Sequence, residues 1–350
     1  MRKNNMRKIR HFLLVLCVVA LGSGCFSTVF AQTAIDLHTG RVKKASPNEN
    51  PMSKQRIMAR DCALATQDSL DYNEAVAKAF FLLRKDSLSQ AQHELERALR
   101  LRPKAETNAV LRLNLAKIYY WRKQWHDADR TLREVREEFA RQLAQKGNVK
   151  TSLEEGTNGN LQSLLNETCT WHCNTLYQLG KYQSAADSIQ AFLQQKPELS
   201  PHEEMDVCTL LGDCYFALKN YDAAVAAYKR TLKIEANAFE ALLPMVQALQ
   251  ALHREEEALM WLNSALQYEN YEEPLVARAK LHRAMANEEA ALADWEVLVK
   301  ENPQNLQYQV ARAEMLLAVG KKKKAKDAVK KLLHAGFPHR ELPAQLQEIK

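Results

Sequence analysis

Cys169-Thr170-Trp171-His172-Cys173 is the densest run of reactive side chains in this chain of 350 residues. Two thiols with an imidazole beside them suggest thiolate chemistry, so a thiol or metal-dependent enzyme around Cys169–Cys173 is one reading. The C-x-x-x-C spacing lacks the turn of C-x-x-C redox motifs, however, and on a helix it puts both sulfurs on one face and sends His172 elsewhere. A packed helix with small buried cysteines is the second reading, and a bridge from Cys173 to Cys208 or Cys214 the third. Nothing else in the chain assembles a reaction. There is no H-E-x-x-H, no G-x-S-x-G, no phosphate loop and no Rossmann fingerprint, and the histidines are scattered singly. The expectation is a protein that is not an enzyme, with no catalytic residue, no metal ligand set and no cofactor. Glu255 to Glu257 and Glu288-Glu289 read as solvated turn charge.

The elements that would hold these residues announce themselves through alanine. Ala91, Ala128, Ala185, Ala224, Ala258, Ala291 and Ala325 recur along the chain, and the last three gaps are 34, 33 and 34 residues. That is a repeat period, so each helix pair buries its apolar face against its neighbours. Ten Gly and ten Pro in this length fit a mostly helical protein. Small residues earlier in each period, Ala79, Ala116, Cys173, Gly212, Ala279 and Ala313, let two helix backbones approach, and Val246 breaks that rule opposite Ala258. Pro103, Pro197 and Pro303 stop the second helix of their units.

Cys208-x-x-Leu211-Gly212-x-x-Tyr215, followed by Ala224, Tyr228 and Leu232, resembles the tetratricopeptide repeat. The resemblance covers most of the chain beyond residue 70 and implies an all-α fold, an α-solenoid of about seven helix pairs wound as a right-handed superhelix with a short C-terminal capping helix. The units fall near 72–105, 109–145, 166–199, 205–238, 239–271, 272–305 and 306–338, inside a solenoid of 71–338. A loop insertion at 146–160 separates the second unit from the third. Residues 32–70 read as a polar, flexible lead-in in which Met52 to Ala65 is a candidate short helix, and residues 339–350 as a cap.

Family geometry lines the concave side with the first helix of each pair. Mapped onto this chain, that side holds Asn114, Lys117, Tyr120, Trp121, Trp171, Asn174, Tyr177, Asp213 and Phe216. Aromatic planes among amide side chains suit a peptide groove, giving contact area at low entropic cost together with donors and acceptors for an extended backbone. The alternative is that several of these aromatics only pack between repeats, as Tyr119 and Trp125 are expected to do. Some members of the family clamp C-terminal carboxylates with Lys, Asn and Arg. Asn114 occupies one such position, but Val76, Phe80, Glu167 and Trp171 occupy others, which argues against a clamp here.

Residues 1–31 differ in kind from the rest. Arg2, Lys3, Arg7, Lys8 and Arg10 precede a short apolar run from Phe12 to Leu21, and Val29-Phe30-Ala31 makes a cleavage site before Gln32, the pattern of a secretory signal peptide. Leu21-Gly22-Ser23-Gly24-Cys25 also resembles a bacterial lipoprotein box, although Gly22 stands where that box prefers a large aliphatic residue. The expectation is therefore export to the periplasm, with an outer-membrane lipoprotein tethered through Cys25 as the alternative. The leader takes five of the 49 Lys and Arg with it, leaving 44 against 42 Asp and Glu. A nucleic-acid partner loses its electrostatic support, and membrane contact is expected only if Cys25 is lipidated. What remains is a protein scaffold of the cell envelope, with a protein or peptide partner, or on the runner-up reading a subunit of an envelope assembly or secretion machine.

Overall fold

In the computed structural model, the described residues are 35–36, 41–42, 53–105, 108–146, 155–267 and 272–349, with side chains from 68 onward except 146 and 155–160. The leader, Cys25, Ala31 and Gln32 lie outside them, and so does the side chain of Cys62. Two compact units divide the chain, one ending at Gly180 and the other beginning at Lys181.

The first unit holds α1 (Ser53–Arg84), α2 (Leu88–Leu101), α3 (Asn108–Trp121), α4 (Trp125–Lys146) and α5 (Glu155–Gln178). A two-residue antiparallel pair precedes them, Ile35–Asp36 (β1) against Arg41–Val42 (β2). The short helix considered for Met52 to Ala65 is the start of α1. No Gly or Pro interrupts Ser53 to Arg84, so once nucleated the helix runs through to the first repeat. The insertion read as a loop over 146–160 differs too: α4 reaches Lys146 and α5 starts at Glu155, carrying Gly156 and Gly159 as helix. Propensity is a weak prior against the packing of a long helix.

The second unit holds α6 (Tyr182–Gln194), α7 (Pro201–Ala217), α8 (Tyr221–Ile234), α9 (Phe239–Ala251), α10 (Glu255–Ala265), α11 (Glu272–Ala284) and α12 (Glu288–Glu301). They continue into α13 (Leu306–Ala318), α14 (Lys322–His334), a 3-10 turn (His339–Glu341) and α15 (Ala344–Gln347). Each helix packs on the next in sequence, as short antiparallel connections require. Leu342 and Leu346 close the apolar end of α13 and α14. Val246 is buried in the same core as Ala258, with no small residue needed between α9 and α10.

The seven period alanines have no exposed surface at all. Five residues before each of them stands a residue with positive φ: Asp86, Lys123, Gly180, Lys219, His253, Ala286 and Gly320. Each marks the turn from the first helix of a pair to the second. After Asp86, Lys123, Lys219, His253, Ala286 and Gly320 the next N–H reaches back five residues to a carbonyl, as in Asn220 to Tyr215 at 2.9 Å, which ends the helix and aims the chain at its partner. Where glycine takes this role, at Gly180 and Gly320, the left-handed conformation carries no Cβ penalty.

Candidate functional site

The α3–α5 face of the first unit gathers four of the nine residues expected to line a groove, Lys117, Tyr120, Trp121 and Trp171, and it does so around an ion pair. Lys117 on α3 is only 3% exposed and its ammonium meets the carboxylate of Glu167 on α5. The same ammonium lies 5.9 Å from the centre of the Trp171 ring. Trp171 in turn makes T-shaped contacts with Tyr120 at 5.2 Å and with Trp121 at 5.8 Å, and Tyr120 makes another with Trp125 at 4.9 Å. These T-shaped contacts let each ring's positive edge meet its neighbour's negative face. Tyr120, Trp121 and Trp171 remain only part-buried. Burial pushes the Tyr120 hydroxyl's pKa up, opposed by a hydrogen bond from Gln178.

The polar residues expected beside these rings are placed differently. Lys117 is paired with Glu167, lies beside the Trp171 ring and is only 3% exposed, so its ammonium does not stand open to a peptide. Asn114 is buried and its amide donates to the Val110 carbonyl at 2.9 Å, while Asn174 donates to that of Thr170 at 3.0 Å. Both amides thus serve the preceding turn of their own helix. Tyr177 is part-buried on the last turn of α5. Asp213 and Phe216 belong to the second unit: Asp213 accepts the Tyr228 hydroxyl at 2.7 Å, and Phe216 packs edge-on with Tyr221 at 5.5 Å. Burial pushes the Asp213 carboxyl up, against the hydrogen bond from Tyr228.

One buried pair had no sequence signal. His172 Nε2 lies 2.9 Å from Asp129 Oδ1, joining α5 to α4, and Asp129 also takes Arg133 at 3.1 Å. Burial lowers the His172 pKa more than its hydrogen bond to Asp129 raises it, with Arg136 adding to the lowering. The imidazole is a link between helices.

The thiols give no support to reaction chemistry. Cys169, Cys208 and Cys214 are free, so the bridge considered from Cys173 to Cys208 or Cys214 is not formed. Burial raises the Cys169 and Cys208 pKa values and, with Asp213 nearby, lifts Cys214 to about 12, whereas a nucleophile or metal ligand must be a thiolate. Among the described residues no three His, Cys, Asp or Glu side chains gather to hold a metal ion, and no helix is long and apolar enough to cross a membrane.

The profile of the tetratricopeptide repeat matches residues 111–141 and 210–238, which are α3–α4 and α7–α8. A tetratricopeptide repeat protein from Parabacteroides merdae superposes with a TM-score of 0.50 at 19% identity, over 80% of this chain and 98% of that one. The C-terminal part of a repeat protein from Cytophaga hutchinsonii superposes with a TM-score of 0.56 at 15% identity, over 74% of this chain and 94% of that one. No curated protein matches the sequence significantly. The fold is that of scaffolds for protein–protein interaction, in which stacked helix pairs leave an extended surface for a partner. With two profile matches, the seven buried alanines and these likenesses of fold, the chain carries two recognisable tetratricopeptide repeats and has the all-α repeat fold of such proteins.

Proposed function

We propose that this chain is an exported, non-enzymatic adaptor of the cell envelope that holds a protein segment against the α3–α5 face of its first unit. The observation that carries this reading is the part-buried ring cluster of Tyr120, Trp121 and Trp171, set edge to face over a buried ion pair. Rings fixed in this way present area without an entropic cost on binding, which is what anchors a partner. Backbone recognition by Asn114 and Lys117 is not part of the proposal, since both are engaged within the chain.

Trp121→Ala and Trp171→Ala are each expected to weaken retention of the native partner by about 2 kcal/mol or more. Pull-downs from an envelope fraction, paired with thermal melts, test this, with Met260→Ala on an exposed part of α10 as control. Unfolding of both Trp variants would reassign the rings to the core, and wild-type retention by both would move the binding face elsewhere. Export rests on the basic, then apolar, leader before Ala31. The mature protein is expected to begin at Gln32, and intact-mass measurement that found an acylated Cys25 would replace the free periplasmic form by a lipoprotein.

A further inference from the structure

Two helix pairs answer a cation on the first helix with a buried carboxylate sixteen residues later on the second. Lys78 on α1 meets Glu94 on α2 at 2.5 Å. Arg278 on α11 grips Asp294 on α12 with two hydrogen bonds of 3.0 and 2.6 Å, and reaches back to Asn263 on α10 at 2.7 Å. One period of 34 residues carries Arg278 onto Arg312, Asp294 onto Ala328 and Asn263 onto Val297. The cation is repeated in the last pair and both groups that answer it are gone.

Arg312 is correspondingly unsatisfied. Its Nε is buried without a hydrogen-bond partner, and among the described residues its guanidinium makes no ion pair. Ala328 is 5% exposed, as Asp294 is, and Val297 is 43% exposed. On α14, Lys324 and Lys331 stand one turn to either side of Ala328. The start of this helix adds Lys321, Lys322 and Lys323, all exposed, with no side-chain cap and no acidic residue in the first turn. Cations there oppose the helix dipole, whereas α7, α10 and α12 begin with glutamates. None of these lysines is ion-paired among the described residues, and Glu301, one turn beyond Val297 on α12, pairs with none of them.

We propose that Arg312, between α12 and α14, binds an acidic segment of a partner protein, with a carboxylate of that segment taking on Arg312 the place that Asp294 takes on Arg278. The flanking lysines of α14 draw the segment in by charge, and Val297 supplies an apolar contact beside the anchored carboxylate. A carboxylate is the favoured anion because the chain itself places one on this register at Arg278. The site uses the last helix pairs of the second unit alone, and it stands or falls independently of the ring cluster on α3–α5.

The test is fluorescence anisotropy of the purified chain with a short labelled glutamate-rich peptide, against the same peptide with glutamine throughout. Arg312→Gln is expected to weaken binding about tenfold or more, and Lys233→Gln on α8 to leave it unchanged. Ala328→Asp is expected to supply the carboxylate within the chain, abolishing peptide binding while raising the melting temperature. Equal binding of the glutamine peptide, or wild-type affinity in Arg312→Gln, overturns the proposal. So does tighter binding of a single-stranded oligonucleotide or of phosphatidylglycerol vesicles, which would assign the patch to phosphate.

Discussion

Gly212→Leu is expected to lose about 3 kcal/mol or more of stability, the upper end of what overpacking costs. Even a methyl group at this position would come within 2.4 Å of the Tyr228 ring. The ring has nowhere to go, because Tyr228 has no exposed surface and its hydroxyl is fixed on Asp213 at 2.7 Å. Gly212→Ala gains up to about 1 kcal/mol of helix propensity against an overpacking cost of about 1–3 kcal/mol, so it too is expected to destabilise, but less. Denaturant unfolding of both variants measures this, and Tyr228→Leu in the Gly212→Leu background supplies the control. If the ring is the obstacle, the second substitution restores part of what the first lost, since contacting residues do not add. Strictly additive losses, or a Gly212→Leu chain as stable as the parent, would mean that the two helices do not close on this glycine.

The period of buried small residues is legible because its cause is local: two helices that touch backbone to backbone tolerate little more than a methyl group at the crossing, whatever surrounds it. The turns are less legible. Only Gly180 and Gly320 advertise the left-handed residue that precedes each second helix, while Asp86, Lys123, Lys219, His253 and Ala286 take the same conformation without a distinguishing side chain. The closing hydrogen bonds and the packing of the pair offset the strain there. The extent of α5 was hidden for a related reason: Gly156 and Gly159 argue for a loop, and only the long helix that follows outweighs them.

The site was half legible. Tyr120, Trp121 and Trp171 come together on one face, but the pairs that set their positions, Lys117–Glu167 and Asp129–His172, span 50 and 43 residues across the insertion. From Ala128 to Ala185 the step is 57 residues, so the 34-residue register cannot say which residue of α5 faces which residue of α3 or α4. Nor can a sequence tell whether an asparagine amide turns outward or back onto its own helix. Asn114 and Asn174 do the latter.

Lys117→Met and Glu167→Gln are each expected to destabilise the first unit by about 3–5 kcal/mol, because removing one member of a buried ion pair leaves the other's charge without compensation. The side chains are 3% and 10% exposed, so solvent does little to screen the loss. Lys117→Met also removes the cation beside Trp171, a further contribution of about 0.5–2 kcal/mol. The double substitution Lys117→Met with Glu167→Leu is expected to cost far less than the sum, and it approaches the parent if the apolar pair fills the same volume. Denaturant unfolding of the four chains closes the cycle, and near-additive losses would mean that the pair is not formed in solution. The double variant also separates the two roles open to Lys117. With the fold retained, the ring cluster keeps its support, so partner retention is expected to stay near that of the parent. A stable double variant that had lost its partner would show Lys117 to be a ligand-binding donor after all, released from Glu167 when the partner arrives.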